Sequence, residues 1–191
     1  MTYNDVFLRE KILSNIPLEG EEALNPFPPS LITSIVLMQV ACSKKIEEFE
    51  NTMQEVLKRL KKDGFDERAQ IQERRKEIEK RIFEAENWNG EGEKPEIPSD
   101  KEIEEAKEAE KTKAAFEEEY AELDKSYFEA RQKKSLEEVK DITLQFTREE
   151  YEKLVEVIGL SGTIEFNGFN EAKSRVKKID FLKIIAEQFS C

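Results

Sequence analysis

Two apolar stripes at helical spacing, separated by a segment that cannot be helical, constrain this fold more than any other feature. In the first stripe, apolar residues recur at alternating steps of three and four over residues 46–60, and the stripe resumes after residue 64. The second stripe covers residues 103–130. Between the stripes, residues 87–100 contain two glycines and two prolines, which break helices. Each stripe forms one narrow helix face and therefore requires a partner.

The two stripes are expected to pack against each other in opposite directions, because the segment between them is long enough to reverse the chain. The predicted fold is mostly α, with a long antiparallel helical hairpin, coiled-coil-like in its packing, that projects from a small α+β head. In the predicted register Ile71 faces Phe116. The residues predicted to form the hairpin seam are Ile46, Phe49, Met53, Val56, Leu60, Ile71, Ile78, Ile82, Ile103, Phe116, Tyr120, Leu123 and Tyr127.

Local signals predict where the hairpin helices break and begin. A glycine inside a helix costs about 1 kcal/mol, so a kink or a short break is expected at Asp63-Gly64. Ser99 and Glu102 have the spacing of a capping box, which predicts the start of the returning helix. That helix is expected to extend to about Lys134.

The chain before the hairpin, residues 1–30, is predicted to form a docking segment, with a helix over 3–16 and then a proline-rich loop.

The hairpin, over 31–134, is predicted to begin with the stretch 31–42, LITSIVLMQVAC. This stretch is apolar nearly all round a helix, and we expect it to be buried on most sides.

The last part of the chain, residues 135–191, mixes both periodicities and predicts a small α+β domain that packs on residues 31–45. Apolar and polar residues alternate over 142–146, which predicts a half-buried strand. A second strand is expected over 163–169.

Two helices are predicted in this last domain. Thr147 and Glu150 form a second capping box, and Gly159 is the expected end of the helix that the box opens. Asn170 is the predicted cap of a final helical region, whose apolar residues extend from Val176 to the C-terminus.

The sequence gives no catalytic, cofactor-binding or metal-binding residue to predict. The chain has no histidine, which excludes Ser-His-Asp and Cys-His catalysis, and it has two cysteines, Cys42 and Cys191. The acidic cluster of residues 117–119 with Glu122 could present carboxylates to a cation, or it could be a solvated helix face. We therefore expect neither a cofactor nor a small-molecule substrate.

The charge of the chain points to protein partners. With 43 acidic and 31 basic residues, the formal net charge is −12, which argues against free nucleic acid and favours a basic protein surface. Trp88, at the hairpin tip, is the predicted partner contact, although it could instead cover the ends of its own helices.

The predicted function is that of a non-enzymatic structural or adaptor subunit in a larger protein assembly, with a phage virion component as the most concrete version. Its expected partners are other protein subunits or further copies of itself. The alternative is an acidic inhibitor that blocks the basic, nucleic-acid-binding surface of a host enzyme. No secretory signal is recognised, and the longest apolar stretch is far shorter than the ~20 residues that a spanning helix needs, so we expect no membrane association and a location in the cytoplasm or within a viral particle.

Overall fold

The computed structural model confirms that the chain is mostly helical, at 73%. It describes residues 1–18, 26–88, 90, 95–167 and 173–189. Within these residues there are six helices and one antiparallel sheet of two strands. In chain order they are α1 (Tyr3–Ser14), α2 (Pro29–Leu60), α3 (Phe65–Glu86), α4 (Asp100–Ser135), α5 (Arg148–Ile158), β1 (Thr163–Asn167), β2 (Lys173–Lys177) and α6 (Lys178–Phe189).

The chain forms two compact units. Unit 1 is discontinuous and combines Met1–Met53 with Gln132–Cys191. Unit 2 is the intervening segment, Gln54–Arg131, and contains the last turns of α2, all of α3 and most of α4.

The core of unit 1 is built from side chains of α1, α2, α5, α6 and the sheet. Phe49 of α2 is buried in it, with the rings of Tyr3 and Phe7 each 5.2 Å away. The ring of Phe146 packs 5.3 Å from that of Phe189. The largest fully buried side chains of this core are Phe49, Phe181, Phe189, Ile12, Leu13, Leu31, Ile35, Met53, Leu144, Leu154, Ile158 and Ile164.

The two strands pair with Ile164 opposite Val176. The side chain of Asn15, at the end of α1, is buried against the edge of this sheet. Its Oδ1 accepts a hydrogen bond from the backbone N–H of Asn167 at 2.7 Å, and its Nδ2 donates to the Lys11 carbonyl at 2.7 Å. The paired polar atoms of this buried amide connect α1 to β1, and their hydrogen bonds offset the cost of removing the amide from water.

One strand prediction and one helix prediction for this region are wrong in detail. Residues 142–146 lie outside both strands, although Leu144 and Phe146 are buried as the alternation required. The alternation of apolar and polar residues indicates which side chains reach a core. A strand also requires a neighbouring strand to hydrogen-bond with, and the pattern does not predict one. The segment of β2 was expected within the final helical region, but it pairs with β1, and the helix begins only at Lys178. The predicted cap Asn170 lies outside the described residues.

The prediction that residues 31–42 are buried on most sides is also wrong. One face of α2 does enter the core, through Leu31, Ile35, Met38 and Cys42. The opposite face is open, since its large apolar side chains are 41 to 64% exposed. These exposed side chains are Val36, Leu37 and Val40.

The predicted helix ends are confirmed where local chemistry sets them. α2 ends before Gly64, which has a left-handed φ of 73°, and α3 begins at the next residue. The capping box of Thr147 and Glu150 is present at the start of α5, and Gly159 is its C-cap. At the start of α4, the N–H of Ser99 donates to the Glu102 carboxylate at 2.8 Å, and the N–H of Glu102 donates to Ser99 Oγ at 3.4 Å.

Candidate functional site

Ion pairs join α3 to α4 in unit 2. Arg68 of α3 donates two hydrogen bonds to the Glu119 carboxylate of α4, with Nη2–Oε1 at 2.7 Å and Nε–Oε2 at 3.0 Å. This hydrogen bonding holds the pKa of Glu119 below its ordinary value. Such two-point arginine–carboxylate pairs fix geometry as well as charge.

An aromatic cluster lies where α3 begins. The buried ring of Phe65 is 5.5 Å from that of Phe116 and 6.4 Å from that of Tyr120. The ammonium group of Lys61 is 5.6 Å from the centre of the Phe65 ring. Phe116, which we expected to face Ile71, therefore has its aromatic partner at the first residue of α3.

A buried polar layer lies further along the same two helices. Gln72 Nε2 donates to the Ala109 carbonyl at 2.8 Å and to Thr112 Oγ1 at 3.1 Å. Arg75 is only 4% exposed, and its Nε donates to Gln72 Oε1 at 3.0 Å. Its Nη1 lies 2.5 Å from a carboxylate oxygen of both Glu79 and Glu110. These contacts satisfy two polar side chains that would otherwise be costly to bury.

Beside this layer, α3 and α4 enclose a groove of about 580 Å³, which we call the α3–α4 groove. Ile78, Ala106 and Ala109 form its apolar floor, and all three are nearly buried. Ile71 also lines it and is 52% exposed, so a large aliphatic side chain faces water at the groove. An apolar groove between two helices is the kind of surface that receives another helix.

The two sides of the α3–α4 groove carry opposite charge. On the α3 side, the exposed cation is Arg74. The α4 side presents Glu104, Glu105 and Glu108, together with Lys101. Arg74 Nη2 is 3.4 Å from Glu105 Oε2, across the groove, and both side chains are largely exposed. An exposed pair of this kind contributes little to the stability of the monomer.

The predicted seam residues are buried to different degrees. Phe49, Met53 and Ile78 are buried, whereas Ile71 and Tyr120 are more than half exposed. The partly buried members are Ile46, Val56, Leu60, Ile82, Ile103, Phe116, Leu123 and Tyr127. Trp88 is 40% exposed, and its role as a partner contact stays a prediction.

Gln72 and Arg75 are absent from the predicted seam, because polar residues within a highly charged helix usually indicate a solvated face. One signal in the sequence could have identified Arg75. A step of seven separates Ile71 from Ile78, and the stripe requires an inward-facing residue between them. That position is occupied by Arg75.

Within the described part of the chain, no group of three or more acidic, cysteine or histidine side chains could hold a metal ion. Burial raises the pKa of the Cys42 thiol to about 11, so this thiol remains protonated at neutral pH and is a poor nucleophile. Among the helices in the described ranges, none has the length and apolar character needed to cross a membrane.

Comparison with protein-family models, with curated proteins and with solved structures gives no match.

Proposed function

We propose that this chain is a non-enzymatic structural or adaptor subunit of a larger protein assembly, and that the α3–α4 groove is a contact surface within that assembly. The observation that carries the proposal is the half-exposed Ile71 over an apolar floor, between a basic and an acidic side. Apolar centres with charged rims are typical of protein interfaces. A phage particle is one such assembly, in which this chain would be a virion component.

The groove requires a defined arrangement of its two helices, and we infer that α3 and α4 form an antiparallel helical hairpin. The order of the ion pairs supports this, because the partner on α4 moves back along the chain as the residue on α3 moves forward. These pairs are Arg68–Glu119, Arg75–Glu110 and Arg81–Glu102.

Cross-linking tests the hairpin. In a chain with Cys42→Ala and Cys191→Ser, the pair Arg68→Cys and Glu119→Cys should react with a short bifunctional maleimide to give an intramolecular product. The matched control pair is Arg68→Cys with Glu104→Cys, which parallel helices would bring together. Residues 104 and 119 are ~22 Å apart along α4, so a short linker cannot satisfy both arrangements. Efficient linkage of the control pair, without linkage of the first, would refute the hairpin.

Affinity capture tests the role in an assembly. The tagged full-length chain, expressed at natural abundance in its source cells, should retain a stoichiometric set of protein subunits, which can include untagged copies of itself. Ile71→Glu should release this set, because it places a charge in the groove. Leu160→Glu is the matched control, since Leu160 is 57% exposed and lies in unit 1. A wild-type chain that retains nothing, or an Ile71→Glu chain that retains the same set, would overturn the proposal.

The acidic side of the groove supports a second candidate, an inhibitor that occupies a basic surface of a host enzyme. Glu104, Glu105 and Glu108 lie together there, in a chain of net charge −12. This candidate requires binding that weakens steeply as salt rises, because exposed charges are screened over about 10 Å at 0.1 M. Titration of the chain against a basic nuclease at several salt concentrations separates it from salt-insensitive assembly.

A further inference from the structure

We propose that the occupant of the α3–α4 groove is a second copy of this chain, related to the first by a two-fold axis parallel to α3 and α4. The inference rests on the proposed function and names the partner at the same surface. It follows from two asymmetries of the groove, one of side-chain size and one of charge.

The first asymmetry is in side-chain size. The α3 side supplies isoleucines, of which Ile71 is half exposed, while the α4 side supplies Ala106 and Ala109. A two-fold axis parallel to the helices lays α3 of one copy over α4 of the other. This axis keeps each residue at its own height along the helices, and in the register of the ion pairs Ile71 of each copy then lies over Thr112 of the second copy, and Ile78 over Ala106. Large side chains thus fill the space above smaller ones. The same axis repeats this contact twice, as a closed dimer requires.

The second asymmetry, in charge, selects between the possible two-fold axes. With the axis parallel to the helices, Arg74 of each copy faces Glu105 and Glu108 of the other copy. An axis perpendicular to the helices would instead lay α4 on α4 and bring the glutamates of both copies together. Like charges placed opposite each other at an interface oppose association. The Arg74–Glu105 pair within one chain is exposed, with side-chain exposures of 63% and 41%, so it can exchange for the same pair between copies.

The size of the face is compatible with a dimer that dissociates on dilution. α3 has 22 residues and is therefore ~33 Å long, and two adjacent helices are ~20 Å wide. The face is thus ~650 Å² per copy, slightly below the ~800 Å² per partner of a standard stable interface. We expect the mass in solution to depend on protein concentration.

Charge exchange between two variants tests the proposal. Analytical ultracentrifugation of the full chain over a micromolar concentration series should show the mass doubling from 22.3 kDa. Arg74→Glu and Glu105→Arg should each be monomeric alone, because each places like charges opposite each other. An equimolar mixture of the two should form a mixed dimer, in which both contacts again join opposite charges. If these residues acted only within one chain, mixing the two variants would not restore the dimer.

Two controls keep the result decisive. Lys76→Glu changes an exposed charge of α3 that does not line the groove, and it should dimerise as the wild type does. If circular dichroism shows that a charge variant has lost helix, Ile71→Glu is measured in its place and should be monomeric. A wild-type chain that is monomeric at every concentration, or a mixture that stays monomeric, would overturn the inference. A monomer that still captures other subunits leaves the proposed function standing, whereas a monomer that captures nothing refutes both.

Discussion

Arg75 is the residue on which the packing of α3 against α4 most depends. A buried guanidinium is tolerated only when it is paired, and this one contacts Gln72, Glu79 and Glu110. Both carboxylates are about half exposed, so the network connects the interior of unit 2 to its surface. Because the layer is polar, it favours a single register over others that would bury these groups without partners.

Truncation at this position should destabilise unit 2. Arg75→Ala leaves a void and an unpaired Gln72 oxygen, so we expect the free energy of unfolding to fall by ~2–4 kcal/mol. Arg75→Met retains most of the volume and should cost less than half as much. Urea unfolding followed by circular dichroism measures both. Lys76→Ala, at an exposed position of α3 outside the groove, is the control and should change stability by no more than ~0.5 kcal/mol. Equal losses for Ala and Met would show that the charge network, and not packing, dominates.

At the scale of the elements, the start of α4 couples a helix cap to an ion pair. The backbone N–H of Ser99, then its hydroxyl, and then Arg81 all hydrogen-bond the Glu102 carboxylate and lower its pKa from an ordinary 4.5 to about 2. A carboxylate with a lowered pKa stabilises the folded state at pH above about 4.5, and this contribution is lost as pH falls toward about 2. Acid should therefore loosen the first turn of α4 within that range.

Removing the cap should raise the lower end of this pH range. In Ser99→Ala the hydroxyl contribution is lost while Arg81 remains, so the pKa of Glu102 should rise from about 2 part of the way toward 4.5. Carboxyl chemical shifts followed by NMR from pH 7 to pH 2 measure it. Ser126→Ala, on the exposed middle of α4, is the control and should leave the Glu102 titration unchanged. A Glu102 titration in Ser99→Ala identical to that of the wild type would show that the cap does not set this pKa.

The elements also show what the sequence could predict. The capping boxes and the break at Gly64 were predicted because a few adjacent residues determine them. β2 was missed, because its sequence KSRVK is mostly charged and only its pairing with β1 makes it a strand. Likewise, the stripe pattern identified α3 and α4 as helices with an apolar face, but it could not show that Ile71 would be left half exposed. The exposure of a side chain depends on which element packs against its helix, and the periodicity within one helix does not predict that element.

At the scale of the whole molecule, the two units differ in how the chain builds them. Unit 2 is one continuous segment, whereas unit 1 needs both ends of the chain. The two parts of unit 1 meet at Tyr3, whose ring lies 5.2 Å from the ring of Phe49 and 5.3 Å from the ammonium group of Lys134. The chain therefore leaves unit 1 after Met53 and re-enters it at Gln132 beside the same cluster.

Unit 1 should consequently fold without unit 2. If residues 54–131 are replaced by a short Gly/Ser linker, we expect a helical protein that unfolds cooperatively, because the buried core around Phe49 is retained. This shortened chain lacks the α3–α4 groove, so it should be monomeric at concentrations where the full chain dimerises. Thermal unfolding and sedimentation measure the two properties separately. A shortened chain that still dimerises would place a contact within unit 1, where Val36, Leu37 and Val40 of α2 are exposed, and would contradict the role given to the groove.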